Sequence, residues 1–141
     1  MGNSTSVQKV NFEDIQFLLK NKKPLLINTL NQNEQNCLIK GTIPITEEEK
    51  VINDFMKQNF NVTIVIYGRN SNSDKLIKKY NQLISLGFLN VFIYPGGLFE
   101  WLCLQDIYGY DNFPTTSREL DILRYKAKSI FNSYLLRNDI D

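Results

Sequence analysis

The stretch Val62-Thr63-Ile64-Val65-Ile66-Tyr67-Gly68-Arg69-Asn70-Ser71-Asn72-Ser73 decides the fold. Val62–Ile66 is β-branched throughout and apolar on both faces. That is the pattern of a central strand in a parallel sheet, buried from above and below. The six polar or small residues that follow are a loop. Leu76, Ile77, Tyr80, Leu83 and Ile84 then recur at helical spacing, with Gly87 placed to close the helix. Strand, loop and helix in that order make one unit of an α/β sheet. Ligands in such sheets bind beyond the C-terminal ends of the strands, so the loop 68–73 is the first place to look for function.

The same alternation extends both ways. Downstream, Val91-Phe92-Ile93 is a strand, and Gly96-Gly97 turns the chain into a helix from Leu98 to about Tyr108. Thr116 and Glu119 match a capping box, and the helix predicted after them points Leu120, Leu123, Ala127, Ile130, Phe131 and Tyr134 inward. Upstream, Leu25–Thr29 is a strand, Cys37–Ile45 a short strand and turn, and Thr46 with Glu49 a second capping box. That box opens a helix with Val51, Ile52, Phe55 and Met56 on its buried face. Val7–Val10 starts a further strand. Asn11 caps a helix whose first turn carries Glu13 and Asp14, and Pro24 stops it.

The order Val62–Tyr67, loop, helix, Leu86-Gly87-Phe88-Leu89-Asn90-Val91, then Gly96-Gly97-Leu98-Phe99-Glu100-Trp101 resembles the second half of a rhodanese domain. In the first half, Leu25–Asn28 resembles the family strand that ends in aspartate. Leu38–Pro44 resembles its His-Ile-Pro-Gly-Ala segment, without the histidine. The resemblance implies an α/β fold with a five-stranded parallel sheet, helices on both faces and an added C-terminal helix. The domains are then a tail at 1–6, a rhodanese-like domain at 7–114 and a helical extension at 115–141. The stretches Leu104–Gly109 and Phe113–Thr116 are similar to versions of the domain in unicellular eukaryotes and large DNA viruses.

The family's active loop reads Cys-x-x-Gly-x-Arg, and its amides stabilise a thiolate that carries sulfur as a persulfide. Here Gly68 stands at the cysteine position, Ser71 at the glycine and Ser73 at the arginine. Glycine has no nucleophile. The chain has no histidine, so no imidazole can activate a serine hydroxyl or build a Ser–His–Asp or Cys–His pair. Asn28 replaces the strand-ending aspartate. The related phosphatases also open their loop with cysteine. The resemblance therefore implies a pseudoenzyme, with no catalytic residue and no cofactor. Two readings of Gly68, Arg69, Asn70, Ser71, Asn72 and Ser73 stay open: a helix cap, or an anion cradle at a helix N-terminus. Asp74 competes with an outside anion for the same helix dipole.

Composition narrows the remaining chemistry. The chain has 141 residues, 43% apolar and 22% charged, with nine Phe and seven Tyr: one domain with a filled core. A net charge of +1 exerts no pull toward nucleic acid. Two cysteines, Cys37 and Cys103, fall short of a zinc site and read as reduced thiols. Leu102 and Leu104 beside Cys103 suggest a buried, inert one. No apolar run approaches the roughly 20 residues that cross a bilayer. The expected location is cytoplasmic, with any membrane contact peripheral.

Such a contact has a candidate. Met1-Gly2-Asn3-Ser4-Thr5-Ser6 matches the N-myristoylation pattern, with Gly2 as acceptor. Lys9 and the Lys20, Lys22, Lys23 cluster can add weak attraction to anionic lipid. The function expected is a catalytically inactive module, a membrane-tethered binding or structural adaptor with a protein partner. The alternatives are an enzyme of the sulfurtransferase or phosphatase kind with displaced chemistry, and an anion sensor using the loop 68–73.

Overall fold

The computed structural model describes residues 6–131. Four parallel strands form one sheet: β1 (Leu25–Asn28), β2 (Thr42–Ile43), β3 (Thr63–Tyr67) and β4 (Asn90–Ile93), in the order β2-β1-β3-β4. Leu25 pairs with Ile64, Leu26 with Thr42, and Thr63 with Asn90. The helices are α1 (Phe12–Asn21), α2 (Ile45–Gln58), α3 (Asp74–Ser85) and α4 (Gly97–Tyr108).

Strand residues alternate between two cores, as a period of two demands. Leu26, Val65 and Tyr67 face α1 and α4, packing with Ile15, Leu98, Trp101 and Leu102. Leu25, Ile27, Ile64 and Ile66 face α2 and α3, packing with Ile52, Leu76, Tyr80 and Leu83. Helices therefore cover both faces, and the central strands carry no polar side.

Several expectations change. Among the described residues the sheet has four strands, not five. Asn11 starts α1 at once, its side chain accepting from Asp14 N–H at 3.0 Å while Asp14 Oδ2 accepts from Asn11 N–H. That early turn leaves the 7–10 segment beside β4 with a single bridge, Lys9 to Ile93. Two hydrogen bonds hold it, Val10 N–H to Ile93 O and Ile93 N–H to Gln8 O, both 2.9 Å. The Thr46–Glu49 box does not form, because α2 starts two residues earlier, at Ile45 behind Pro44. In α3, Leu76, Tyr80 and Leu83 are buried, but Ile77 and Ile84 are exposed.

No α-helix runs over residues 117–129. Thr116 cannot cap one: its hydroxyl accepts from Leu38 N–H and donates to Asn36 O, both at 3.0 Å. The chain after α4 instead lies antiparallel against residues 38–40. Lys40 N–H donates to Pro114 O, Thr116 N–H donates to Leu38 O, and Ile39 bridges Thr115. A 3-10 turn, Ile122–Tyr125, follows. Leu120 and Leu123 point outward, and Ile130 and Phe131, which begin a helical turn, are also exposed. Tyr134 and Gly2 lie outside the described residues.

Candidate functional site

The loop 68–73 joins the C-terminal end of β3 to the start of α3, where the α/β pattern places a site. Gly68 is buried. A Cβ there would sit 2.7 Å from Thr29 Oγ1 and 3.7 Å from Leu76 Cδ2, so a side chain fits only if Thr29 turns away. Ser73 caps α3, its Oγ accepting from Lys75 N–H at 3.3 Å, and Asp74 stands in the first turn. Asn70 Oδ1 accepts from Asn72 N–H at 2.9 Å, a local turn that fixes the loop's middle. Ser71 and Asn72 are exposed.

The double glycine serves this loop. The start of α4 presses on it: Leu98 N–H donates to Gly68 O and Phe99 N–H to Arg69 O, both at 2.9 Å. Two amides that begin a helix thus find their acceptors in loop carbonyls. Gly97 makes the approach possible. It has φ +66°, and a Cβ on it would lie 2.7 Å from Gly68 O. Gly96 is right-handed helical, so of the two glycines Gly97 is the one that takes the left-handed backbone.

Over the loop lies the segment that follows α4. Arg69 Nη1 pairs with Glu34 Oε2 at 3.0 Å, and its Nη2 donates to Arg124 O. Asn70 Nδ2 donates to Tyr125 O at 2.8 Å. Tyr125 itself is 2% exposed and belongs to the core beneath α4, with the Arg69 guanidinium 5.7 Å from its ring centre. Behind it, Trp101 Nε1 donates to Pro114 O at 3.1 Å and Gln105 Nε2 to Phe113 O at 2.7 Å. The loop's one cation is therefore occupied by a buried carboxylate and a backbone carbonyl. Glu34, Thr29 and Tyr125 escape sequence reasoning, since nothing in their spacing ties them to the loop.

Asn28 is a structural residue of the same sheet edge. Its Oδ1 accepts from Gln35 Nε2 at 2.9 Å and Leu30 N–H at 3.1 Å. Its Nδ2 donates to Gln35 Oε1 at 3.0 Å and Ile43 O at 3.1 Å. A carboxylate in that place has no proton to offer Ile43 O, which gives asparagine a reason of its own.

Neither cysteine is a ready thiolate. Cys37 is buried, donates from Sγ to Ser117 O at 3.3 Å, and burial pushes its pKa up. Cys103 is half-buried rather than fully buried. Partial burial, then the nearby Asp106 and Glu100 carboxylates, raise its pKa also. Among the described residues no cluster of three or more His, Cys, Asp or Glu forms that could hold a metal ion. No helix among them is long and apolar enough to cross a membrane.

This arrangement matches a known domain. The family model for the rhodanese-like domain matches residues 12–103. Solved structures share the fold at low identity. A rhodanese-like domain from Anabaena is 19% identical, with 88% of this chain and 89% of that one aligned and a TM-score of 0.55. A yeast protein tyrosine phosphatase of the rhodanese family is 11% identical over 85% and 99%, TM-score 0.59. A thiosulfate sulfurtransferase from Pseudomonas aeruginosa is 17% identical over 69% of this chain and 19% of its own length, TM-score 0.56. A sequence comparison with curated proteins finds no match. The match over most of the chain, on a parallel sheet with the loop and double glycine in place, makes this protein a member of the rhodanese-like domain family.

Proposed function

We propose that the chain is a catalytically inactive rhodanese-like module, a binding or structural adaptor held at the cytoplasmic face of a membrane through N-myristoyl-Gly2. On this reading the domain is 7–114, and 115–141 is an extension whose first part is built into it. The observation that carries the proposal is the loop itself. Gly68 stands where a nucleophile is needed, and Arg69 and Asn70 hold the backbone of residues 124 and 125. A loop that serves as a clamp for its own chain offers no open anion cradle. Its guanidinium is already paired with Glu34, which weighs against the anion-sensing alternative.

The enzyme alternative rests on the sulfurtransferase and the phosphatase among the fold neighbours. Both chemistries are tested together, with thiosulfate and an aryl phosphate as substrates. The wild type should turn over neither. Gly68→Cys combined with Thr29→Ala, which clears the space a Cβ needs, should stay inactive while residues 124 and 125 are held over the loop. Wild-type turnover that Cys103→Ala abolishes would overturn the reading.

The tether rests on Met1–Ser6. Hydrolysis removes Met1, and the Gly2 amine then attacks a fatty acyl thioester, forming an amide and releasing the thiol. One such chain gives an association constant of about 10⁴ M⁻¹, enough for reversible binding only. Intact-mass analysis of the natural protein should show the acyl adduct on Gly2, and an unmodified glycine there rejects the tether.

A further inference from the structure

A groove of about 630 Å³ opens where the described chain begins. Tyr80, Phe88 and Val91 are buried in it, and Val7, Ile84 and Leu89 add apolar lining. Ile84 is 42% exposed and Leu89 68%. The polar lining is Ser6, Gln8 and Asn81, and no charged side chain contributes. This volume lies within the roughly 300–1,000 Å³ of small-molecule sites, and polar and apolar groups share the lining about equally. Single exposed apolar side chains need no explanation, but these two stand together over an apolar floor.

The occupant is indicated by where the groove lies. Ser6 lines it, and Gly2 is four residues away along the chain. Four extended residues span at most about 14 Å, which keeps any group on the Gly2 amine within reach. The absence of charged side chains and the buried floor of Tyr80, Phe88 and Val91 suit a hydrocarbon chain. We infer that this groove holds the acyl chain of N-myristoylated Gly2, in exchange with the bilayer. The inference rests on the acylation reading above and adds a regulator to it: membrane binding is set by whether the groove is filled. A single chain binds bilayers only marginally, so modest occupancy of the groove is enough to matter. If nine chains in ten sit in the groove, apparent membrane affinity falls about tenfold.

The test uses the full chain acylated during co-expression with a myristoyltransferase, verified by intact mass. Amide spectra of acylated and unacylated protein are compared, and flotation is measured with neutral phosphatidylcholine vesicles, which remove the contribution of the lysines. Acylation should shift the amides of Val7, Asn81, Ile84, Leu89 and Val91. Ile84→Asp and Leu89→Asp place a charge in the groove at exposed positions, and the melting temperature of each is measured alongside to exclude unfolding. In the acylated protein each should raise vesicle binding about five- to tenfold. Equal vesicle binding by wild type and both variants, with the groove amides unmoved, overturns the inference while leaving the tether intact. Concentration-dependent shifts of those amides in unacylated protein would identify a second copy as the occupant and also overturn it. A natural protein with free Gly2 rejects the tether and this inference together.

Discussion

The molecule's two faces are finished differently. On the α1/α4 face, the chain after α4 folds back, inserts Tyr125 into the core and is clamped by Arg69 and Asn70. On the α2/α3 face, Ile77, Ile84 and Leu89 remain exposed, and the groove beside Ser6 stays open. In a family whose chemistry belongs to the loop, the loop side is the one that is sealed. The contrast teaches that the loop holds down the segment after α4, while the α2/α3 face leaves apolar side chains open to solvent.

The comparison breaks first at Tyr125. If the segment is integral to the core, Tyr125→Ala should cost about 3–5 kcal/mol in denaturant unfolding, the range for losing a buried aromatic. A cost under about 1 kcal/mol would mean the segment merely rests on the surface, and the loop side is not sealed.

The next largest effect is expected at Gly97. An L-residue in left-handed backbone costs about 1–2 kcal/mol, and the added Cβ also collides with Gly68 O. Gly97→Ala should therefore destabilise by at least about 2 kcal/mol. Hydrogen exchange localises the damage: the Leu98 and Phe99 amides, which donate to Gly68 O and Arg69 O, should lose protection first. Uniform loss of protection throughout the chain would show that α4 and the loop are not specifically coupled.

The open face should behave in the opposite way. Ile84→Ser removes an apolar side chain from an exposed position, and stability should change by no more than about 0.5 kcal/mol. A loss comparable to that of Tyr125→Ala would show that the α2/α3 face is as closed as the other.

The two faces were also unequally legible in sequence. The β-branched Val62–Ile66 run and the Leu-Gly-Phe and Gly-Gly-x-x-x-Trp segments encode local geometry, and strands β3 and β4 with helices α3 and α4 follow them closely. That the loop 68–73 joins β3 to α3 follows for the same reason. What covers the loop does not, because partners such as Glu34, Thr29 and Tyr125 are set by tertiary contact between distant segments. The 116–131 stretch shows the hazard in particular. Its apolar residues fall at helical spacing, yet Thr116 is committed to Asn36 and Leu38, and the pairing of 114–116 with 38–40 overrides local periodicity. The missing fifth strand has a comparable cause, since the Asn11 cap ends the extended segment after Val10.

The smallest expected effect lies at the edge of the sealing segment and tests whether its 3-10 turn is held by charge. Glu119 accepts from Asp121 N–H at 3.2 Å and from Arg124 Nη1 at 2.8 Å. The amide first, then the guanidinium, hold its pKa below the ordinary value of 4.5. A carboxylate whose folded pKa is depressed stabilises the fold fully above its unfolded pKa, and that contribution fades as pH falls through the folded value. The pair is solvent-exposed, so screening keeps its global effect slight, and the local turn is where it should be read. On acidification below pH 4.5, the Asp121 amide should move with Glu119 protonation. Glu119→Gln should leave that amide flat over the same range, with Tyr125 still buried. Should Tyr125 be released at the same pH in the wild type, the seal depends on this ion pair rather than on the apolar packing of the ring.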